Sequence, residues 1–121
     1  MVSDSTKEAP IDLTKAVQRA MGDSSFLETM LEKFLEGMPA QVEALKTAIE
    51  KGDSDGLRET AHSLKGAAAN LSADRLAQAA FRLEQMGREN DLGDAQEALG
   101  ILMNNVTQLA AFVKDTDWSS I

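Results

Sequence analysis

Apolar residues near the C-terminus of this chain recur at intervals that alternate strictly between three and four residues. The residues of this series are Leu92, Ala95, Leu99, Leu102, Val106, Leu109 and Val113. Because an α-helix has 3.6 residues per turn, the spacing places all seven side chains on one helical face. The pattern predicts a helix from about Gly93 to Lys114 that buries this face against other helices.

The same periodicity predicts four more helices earlier in the chain, bounded by capping residues or glycines. Three of them cover residues 12–22, 23–51 and 54–71, and the fourth begins at Ser72 or Asp74. Pro39 interrupts the hydrogen bonding of the helix at 23–51, but the apolar register continues through it, so we expect one bent helix. Together the helices predict an all-α fold, an antiparallel up-down four-helix bundle with a short extra N-terminal helix.

The chain is expected to form one domain with short extensions. Residues 1–10 are polar and include Pro10, which is typical of a linker or a terminal extension. Residues 11–114 are long enough to bury a core without disulfides. The tail at 115–121 is expected to fray unless Trp118 folds back on the bundle.

Composition argues against several classes of function. Twenty acidic and twelve basic residues give a formal net charge of −8, which repels nucleic-acid backbones and anionic membranes. The chain has no cysteine and no apolar run that could span a bilayer, and its first residues do not resemble a secretory signal. We therefore expect a cytoplasmic monomer that contacts neither nucleic acid nor membrane.

His62 is the only histidine, and the helix at 54–71 directs it away from the core. Leu57, Leu64 and Leu71 lie on the apolar face of that helix, and His62 lies roughly opposite. An ordinary imidazole is mostly neutral near pH 7 and is then a good nucleophile. A histidine at this position is available for chemistry.

Three neighbours of His62 favour an anionic adduct on the ring. Lys65 lies one turn further on, where its ammonium could attract a phosphoryl oxygen, although a plain solvated charge is the alternative. Gly66 costs about 1 kcal/mol relative to alanine inside a helix, which indicates close approach by a partner, or else a close helix–helix contact. Ala69 extends the same low surface.

A carboxylate that holds the proton of one ring nitrogen would fix the tautomer and make the other nitrogen more basic. Glu59 on the same helix and Glu84 on the next helix are the candidates. Glu84 shares a stripe with Phe81 and Arg88, which we interpret as a half-buried side chain and a surface charge. A metal site is not expected, because one histidine with scattered carboxylates lacks paired ligands at helical spacing.

The segment Ala61–Leu71, AHSLKGAAANL, resembles the signature of histidine phosphotransfer (HPt) domains of bacterial two-component phosphorelays. Further similarity lies in residues 11–23, 34–39 and 51–53, and at Leu76, Leu83 and Glu84, so that it covers most of residues 11–114 without a gap. One departure is visible, since the family commonly has glycine where Ser72 stands. Ser72 could instead serve as an N-cap.

The resemblance implies a phosphoryl carrier and not an enzyme with turnover of its own. The histidine matching His62 accepts a phosphoryl group from a receiver aspartate and passes it to another. The residues matching Lys65, Gly66 and Glu84 steady the phosphate, make room for it and bond the ring. The implied partners are receiver domains of response regulators or a hybrid histidine kinase, with no cofactor, and any magnesium would belong to the receiver.

Two other functions remain open from the sequence. The first is a helical bundle that only binds partners, and the second is the substrate domain of a chemotaxis-type kinase, phosphorylated by an ATP-binding domain. The chain has no glycine-rich nucleotide motif, so this second alternative needs a kinase domain elsewhere in the gene product.

Overall fold

A computed structural model describes residues 9–121, and most of the predicted linker at 1–10 lies outside the described residues. Within that range the chain forms six α-helices, no strand and one terminal turn of 3₁₀-helix. The helices are α1 Leu13–Arg19, α2 Ser24–Glu36, α3 Met38–Lys51, α4 Ser54–Asn70, α5 Asp74–Glu89 and α6 Ala95–Asp115, and the 3₁₀ turn is Trp118–Ser120. No helix among these residues is long and apolar enough to cross a membrane.

Four of the helices form the predicted bundle. From α3 to α6 each helix packs against the next, and α6 also packs against α3, which closes the ring around one core. The connections between these four helices are two to five residues long, and such short links join antiparallel neighbours. The α4–α5 pair has the most extensive contact. The prediction of an all-α, up-down bundle with an added N-terminal helix is confirmed.

The residues predicted to face inward fill the core. Five of the seven residues in the alternating series are buried and lie in α6, while Val106 of α6 and Leu92, which precedes the helix, are half-buried. The largest fully buried aliphatic side chains come from all the longer helices and are Leu27, Leu31, Met38, Leu45, Leu57, Leu76, Leu83, Leu102 and Leu109. Burial of these side chains is the main term that stabilises the bundle.

The predicted bent helix at 23–51 is wrong in one respect, because the structure divides it into α2 and α3. Gly37 lies between them with φ −82° and ψ −10°, still in the right-handed helical region. Pro39 is therefore in the first turn of α3, where its missing N–H leaves no bond unmade. The apolar register does continue through the break, since Leu31, Met38 and Leu45 are all buried.

The turn between α4 and α5 corrects the expectation that Ser72 is an N-cap. Ser72 has φ +60° and belongs to the end of α4, where Ala73 N–H closes the turn by donating to Ala68 O at 2.9 Å. The N-cap of α5 is Ala73, which makes no side-chain cap bond. The left-handed conformation explains why glycine is common at the position of Ser72 in the family that this sequence resembles.

The N-terminal helix packs at this same end of the bundle. Asp12 caps α1 as predicted, and its own N–H donates to Ser72 O at 2.9 Å. Arg19 Nη1 donates to Ala69 O at 2.6 Å at the C-terminal end of α4. Met21 has helical spacing from Leu13 and Val17 in the sequence, which favours the apolar face of α1, but it lies beyond the helix with φ +59° and is 93% exposed.

Trp118 folds back on the bundle, which is one of the two expectations for the tail. Its indole Nε1–H donates to Val113 O at 3.1 Å, and its side chain is buried. Ser24 Oγ donates to Trp118 O at 3.2 Å, so the start of α2 holds the 3₁₀ turn. The segment that follows α6 is thus packed rather than frayed.

Candidate functional site

α4 presents His62 to solvent from the middle of the bundle. Leu57, Ala61 and Leu64 anchor the opposite side of the helix in the core, and the imidazole is 65% exposed. This orientation follows from the helical spacing, because a residue next to buried Ala61 and before buried Leu64 projects outward. A second protein can reach the ring.

Glu84 on α5 holds the ring from below. Its Oε2 lies 2.9 Å from His62 Nδ1, although the Glu84 side chain itself is almost completely buried. Arg88 Nη2 donates to the same Oε2 at 2.9 Å, and Lys65 Nζ forms an ion pair with Oε1 at 2.8 Å. One buried carboxylate therefore joins three basic side chains.

The electrostatics of this cluster keep Glu84 ionised. Burial raises the pKa of Glu84, but hydrogen bonds and charge from Lys65 and then His62 outweigh burial and lower the pKa below its ordinary value. An ionised carboxylate can only accept hydrogen bonds, so Nδ1 of a neutral His62 must carry the proton. The lone pair is then on Nε2, the nitrogen that is farther from the backbone.

Lys65 is held beside the imidazole and does not extend freely into water. Its ammonium lies 4.9 Å from the centroid of the Phe81 ring as well as against Glu84. Phe81 is 39% exposed, so its ring is more open to solvent than the half-buried side chain that the sequence predicted. The sequence placed Lys65 near His62 but did not predict either of its two partners on α5.

Gly66 leaves the surface beside His62 low, whereas Ala69 is half-buried against the core and its carbonyl accepts from Arg19. A Cβ atom added at Gly66 would meet nothing within 4 Å among the described residues, so no helix–helix contact requires this glycine. That alternative applies instead to Gly87, which the sequence reasoning missed. A Cβ there would lie 2.6 Å from Ser54 O and 2.8 Å from Arg58 N, across the α4–α5 contact. The signal was present, because Gly87 is also a glycine inside a helix.

Glu59 takes no part in the cluster around the ring. Its Oε2 lies 3.9 Å from Arg58 Nη2, and its side chain is largely exposed. Of the two candidate carboxylates, Glu84 is the one in contact with His62. Within residues 9–121, no group of three or more histidine, cysteine or acidic side chains is arranged to hold a metal ion.

An exposed imidazole that is held by a buried carboxylate on a helical bundle is the arrangement that a phosphohistidine carrier needs. The family model of the Hpt domain matches residues 29–112. The chain belongs to the Hpt family, whose members carry out histidine phosphotransfer in phosphorelays. No curated protein matches the chain significantly.

Two solved structures are similar to this chain. Histidine-containing phosphotransfer protein B from Pseudomonas aeruginosa PAO1 has 25% identity and a TM-score of 0.75, over 88% of this chain and 90% of that one. The HPT domain of the Hpt sensor hybrid histidine kinase from Shewanella has 21% identity and a TM-score of 0.72, over 88% and 92%. The second likeness supports the fold alone.

Proposed function

We propose that His62 is the phosphoryl-accepting residue of this Hpt domain and that its Nε2 is the reacting atom. The observation that carries the proposal is the 2.9 Å contact between Glu84 Oε2 and Nδ1 of a ring that is otherwise open to solvent. It leaves one nitrogen with a free lone pair, directed away from the protein. We place this function within residues 11–114, acting as a monomer.

The transfer step needs little from the protein besides position and charge. The Nε2 lone pair attacks phosphorus of a receiver aspartyl phosphate, the N–P bond forms, and the P–O bond to the aspartate breaks as the carboxylate leaves with the electron pair. Because Nδ1 keeps its proton, the ring becomes cationic, and Glu84 stabilises that charge. Transfer to a second receiver is the reverse of this step, so the domain is a carrier without net turnover.

Lys65 and Gly66 serve the phosphoryl group in this proposal. The Lys65 ammonium supplies positive charge beside the ring, where the phosphoryl oxygens arrive. The empty space over Gly66 admits the phosphoryl group and the receiver that delivers it. Partners are receiver domains of response regulators or of a hybrid histidine kinase, and the magnesium ion that such a transfer uses would sit in the receiver.

The test is labelling from a phosphorylated receiver domain. We expect label on the wild-type chain that is lost in acid and stable in base, as a phosphoramidate is, and no label on His62→Gln. Label on His62→Gln would contradict the site. A protein labelled only by a kinase catalytic domain, and never by receivers, would be a kinase substrate domain instead.

The role of Glu84 has a matched control on the same face. Glu84→Gln keeps an oxygen that can accept from Nδ1 but removes the charge, so we expect labelling to slow by about tenfold. Glu59→Gln removes a carboxylate that does not touch the ring and should label at the wild-type rate. Equal rates for both variants would show that transfer does not need the charge of Glu84.

A further inference from the structure

Phe81 is the one aromatic ring over which a cation lies among the described residues. The chain has only four phenylalanines, and this one stands partly exposed on α5. Its ring face lies under the Lys65 ammonium, 4.9 Å from centroid to Nζ, within the range of a cation–π interaction. The Phe81 ring therefore interacts with the charge of Lys65 and does not serve only as an apolar contact surface.

We propose that Phe81 is a positioning residue for Lys65, and that it thereby sets how fast His62 accepts a phosphoryl group and how long the adduct survives. The proposal rests on the proposed function of His62. A lysine side chain is flexible and strongly hydrated, and in water its ammonium samples many positions. Phe81 and Glu84 together restrict it to the neighbourhood of the ring.

Glu84 shares its two oxygens among three basic side chains, so a second contact that holds Lys65 in place matters. Its Oε2 already accepts from both His62 and Arg88, so only Oε1 serves Lys65. The Phe81 ring attracts the ammonium through its quadrupole and does not compete for these oxygens. Unlike a second carboxylate, it also adds no negative charge that would repel an incoming phosphoryl group.

The first experiment uses phosphoramidate, a small donor that needs no protein docking. Nε2 of His62 attacks its phosphorus, the N–P bond of the donor breaks, and ammonia leaves. We expect Phe81→Leu to be phosphorylated about two- to fivefold more slowly than wild type, and its phosphohistidine to hydrolyse faster by a similar factor. Phe81→Trp should restore the wild-type rates, because indole binds cations at least as well.

Two controls separate positioning from a general effect of losing a ring. Phe26→Leu removes an exposed phenylalanine on α2 and should leave both rates unchanged. In a Lys65→Met background, which keeps the stem and removes the charge, Phe81→Leu should have no further effect. An unchanged rate in Phe81→Leu, a faster rate, or an effect that persists without Lys65 would each overturn the proposal.

A measurement without phosphate tests the placement by itself. In wild type, the Lys65 ε-methylene protons should resonate upfield because of the Phe81 ring current, and this shift should vanish in Phe81→Leu. Wild-type Lys65 protons at random-coil positions would refute the positioning. If the shift is present but His62 is never labelled by any donor, the proposed function fails while the contact stands.

Discussion

Glu84 and His62 are opposites in exposure, although their side chains meet at 2.9 Å. The carboxylate is buried in the α4–α5 interface and the imidazole is open to water. Because the Glu84 side chain is immobilised by packing, it fixes the orientation of the imidazole and leaves Nε2 of His62 accessible. The site therefore depends on how α4 and α5 pack as much as on α4 alone.

Acid should weaken the protein through Glu84. The pKa of Glu84 is lower in the folded chain than in the unfolded one, because hydrogen bonds and charge from Lys65 and His62 outweigh burial. The ionised carboxylate therefore stabilises the fold above the unfolded pKa, and that stabilisation is lost as pH falls through the folded value. At pH 7 we expect Glu84→Gln to lower the free energy of unfolding by about 1–2 kcal/mol.

Urea denaturation of both proteins at pH 7 and at about pH 3 tests this linkage. The stability gap between wild type and Glu84→Gln should shrink in acid, because the stabilisation from the ionised carboxylate is lost as pH falls through the lowered pKa of Glu84. Glu59→Gln, an exposed control, should show little gap at either pH. A gap for Glu84→Gln that is equally large in acid would argue against an ionised Glu84.

Helical periodicity predicted the bundle because it reports which residues face the core. It could not predict the break at Gly37, since the apolar register of Leu31, Met38 and Leu45 is the same in one bent helix and in two. Which backbone bonds are missing depends on Pro39 and on local geometry, which the register does not record. The same limit applies to Ser72, because the periodicity of apolar residues does not reveal a left-handed backbone conformation.

The site was predictable as far as a single helix determines it. Positions 62, 65 and 66 share a face of α4 by spacing alone. The choice between Glu59 and Glu84 required the axial offset of α4 against α5, which the sequence leaves open. The contact of Lys65 with Phe81 depends on that same offset.

Replacing Gly66 by alanine should raise the stability of the fold and slow phosphoryl transfer. Because a Cβ at this position meets no described atom, Gly66→Ala should stabilise the fold by about 1 kcal/mol through helix propensity. The added methyl would stand where the receiver approaches, so we expect slower transfer from a phosphorylated receiver. Thermal denaturation and receiver-dependent labelling measure the two effects.

Gly100 is the matched control for this trade. It lies inside α6 and is equally open, so Gly100→Ala should give a similar gain in stability and leave transfer unchanged. Gly66→Ala transfer at the wild-type rate would mean that the glycine serves neither the phosphoryl group nor the partner.

Gly87 should respond in the opposite direction to the same substitution. An alanine Cβ would lie 2.6 Å from Ser54 O and within 3.0 Å of backbone atoms of Arg58. Backbone atoms cannot rotate away as a side chain can, so α4 and α5 must move apart. The lost packing outweighs the gain in helix propensity, and we expect the free energy of unfolding to fall by about 1–3 kcal/mol. A Gly87→Ala protein as stable as wild type in chemical denaturation would contradict the close packing of α4 and α5 at Gly87.

Ser72 offers a stabilising substitution at the turn that joins α4 to α5. Its φ of +60° is strained for serine, and its buried hydroxyl has no hydrogen-bond partner among the described residues. Ser72→Gly removes both costs and keeps the carbonyl that accepts from Asp12 N, while the greater freedom of glycine in the unfolded chain opposes part of the gain. We expect a net stabilisation of about 1 kcal/mol.

Ser72→Ala divides this gain into its two parts, because it removes the hydroxyl but keeps the strained Cβ. In urea denaturation, the difference between Ser72→Gly and Ser72→Ala reports the relief of backbone strain less the entropic cost of glycine, and the difference between Ser72→Ala and wild type reports the unpaired hydroxyl. We expect Ser72→Gly to be the most stable of the three. If Ser72→Ala is more stable than Ser72→Gly, the strain of the left-handed backbone costs less free energy than the greater unfolded-state freedom of glycine.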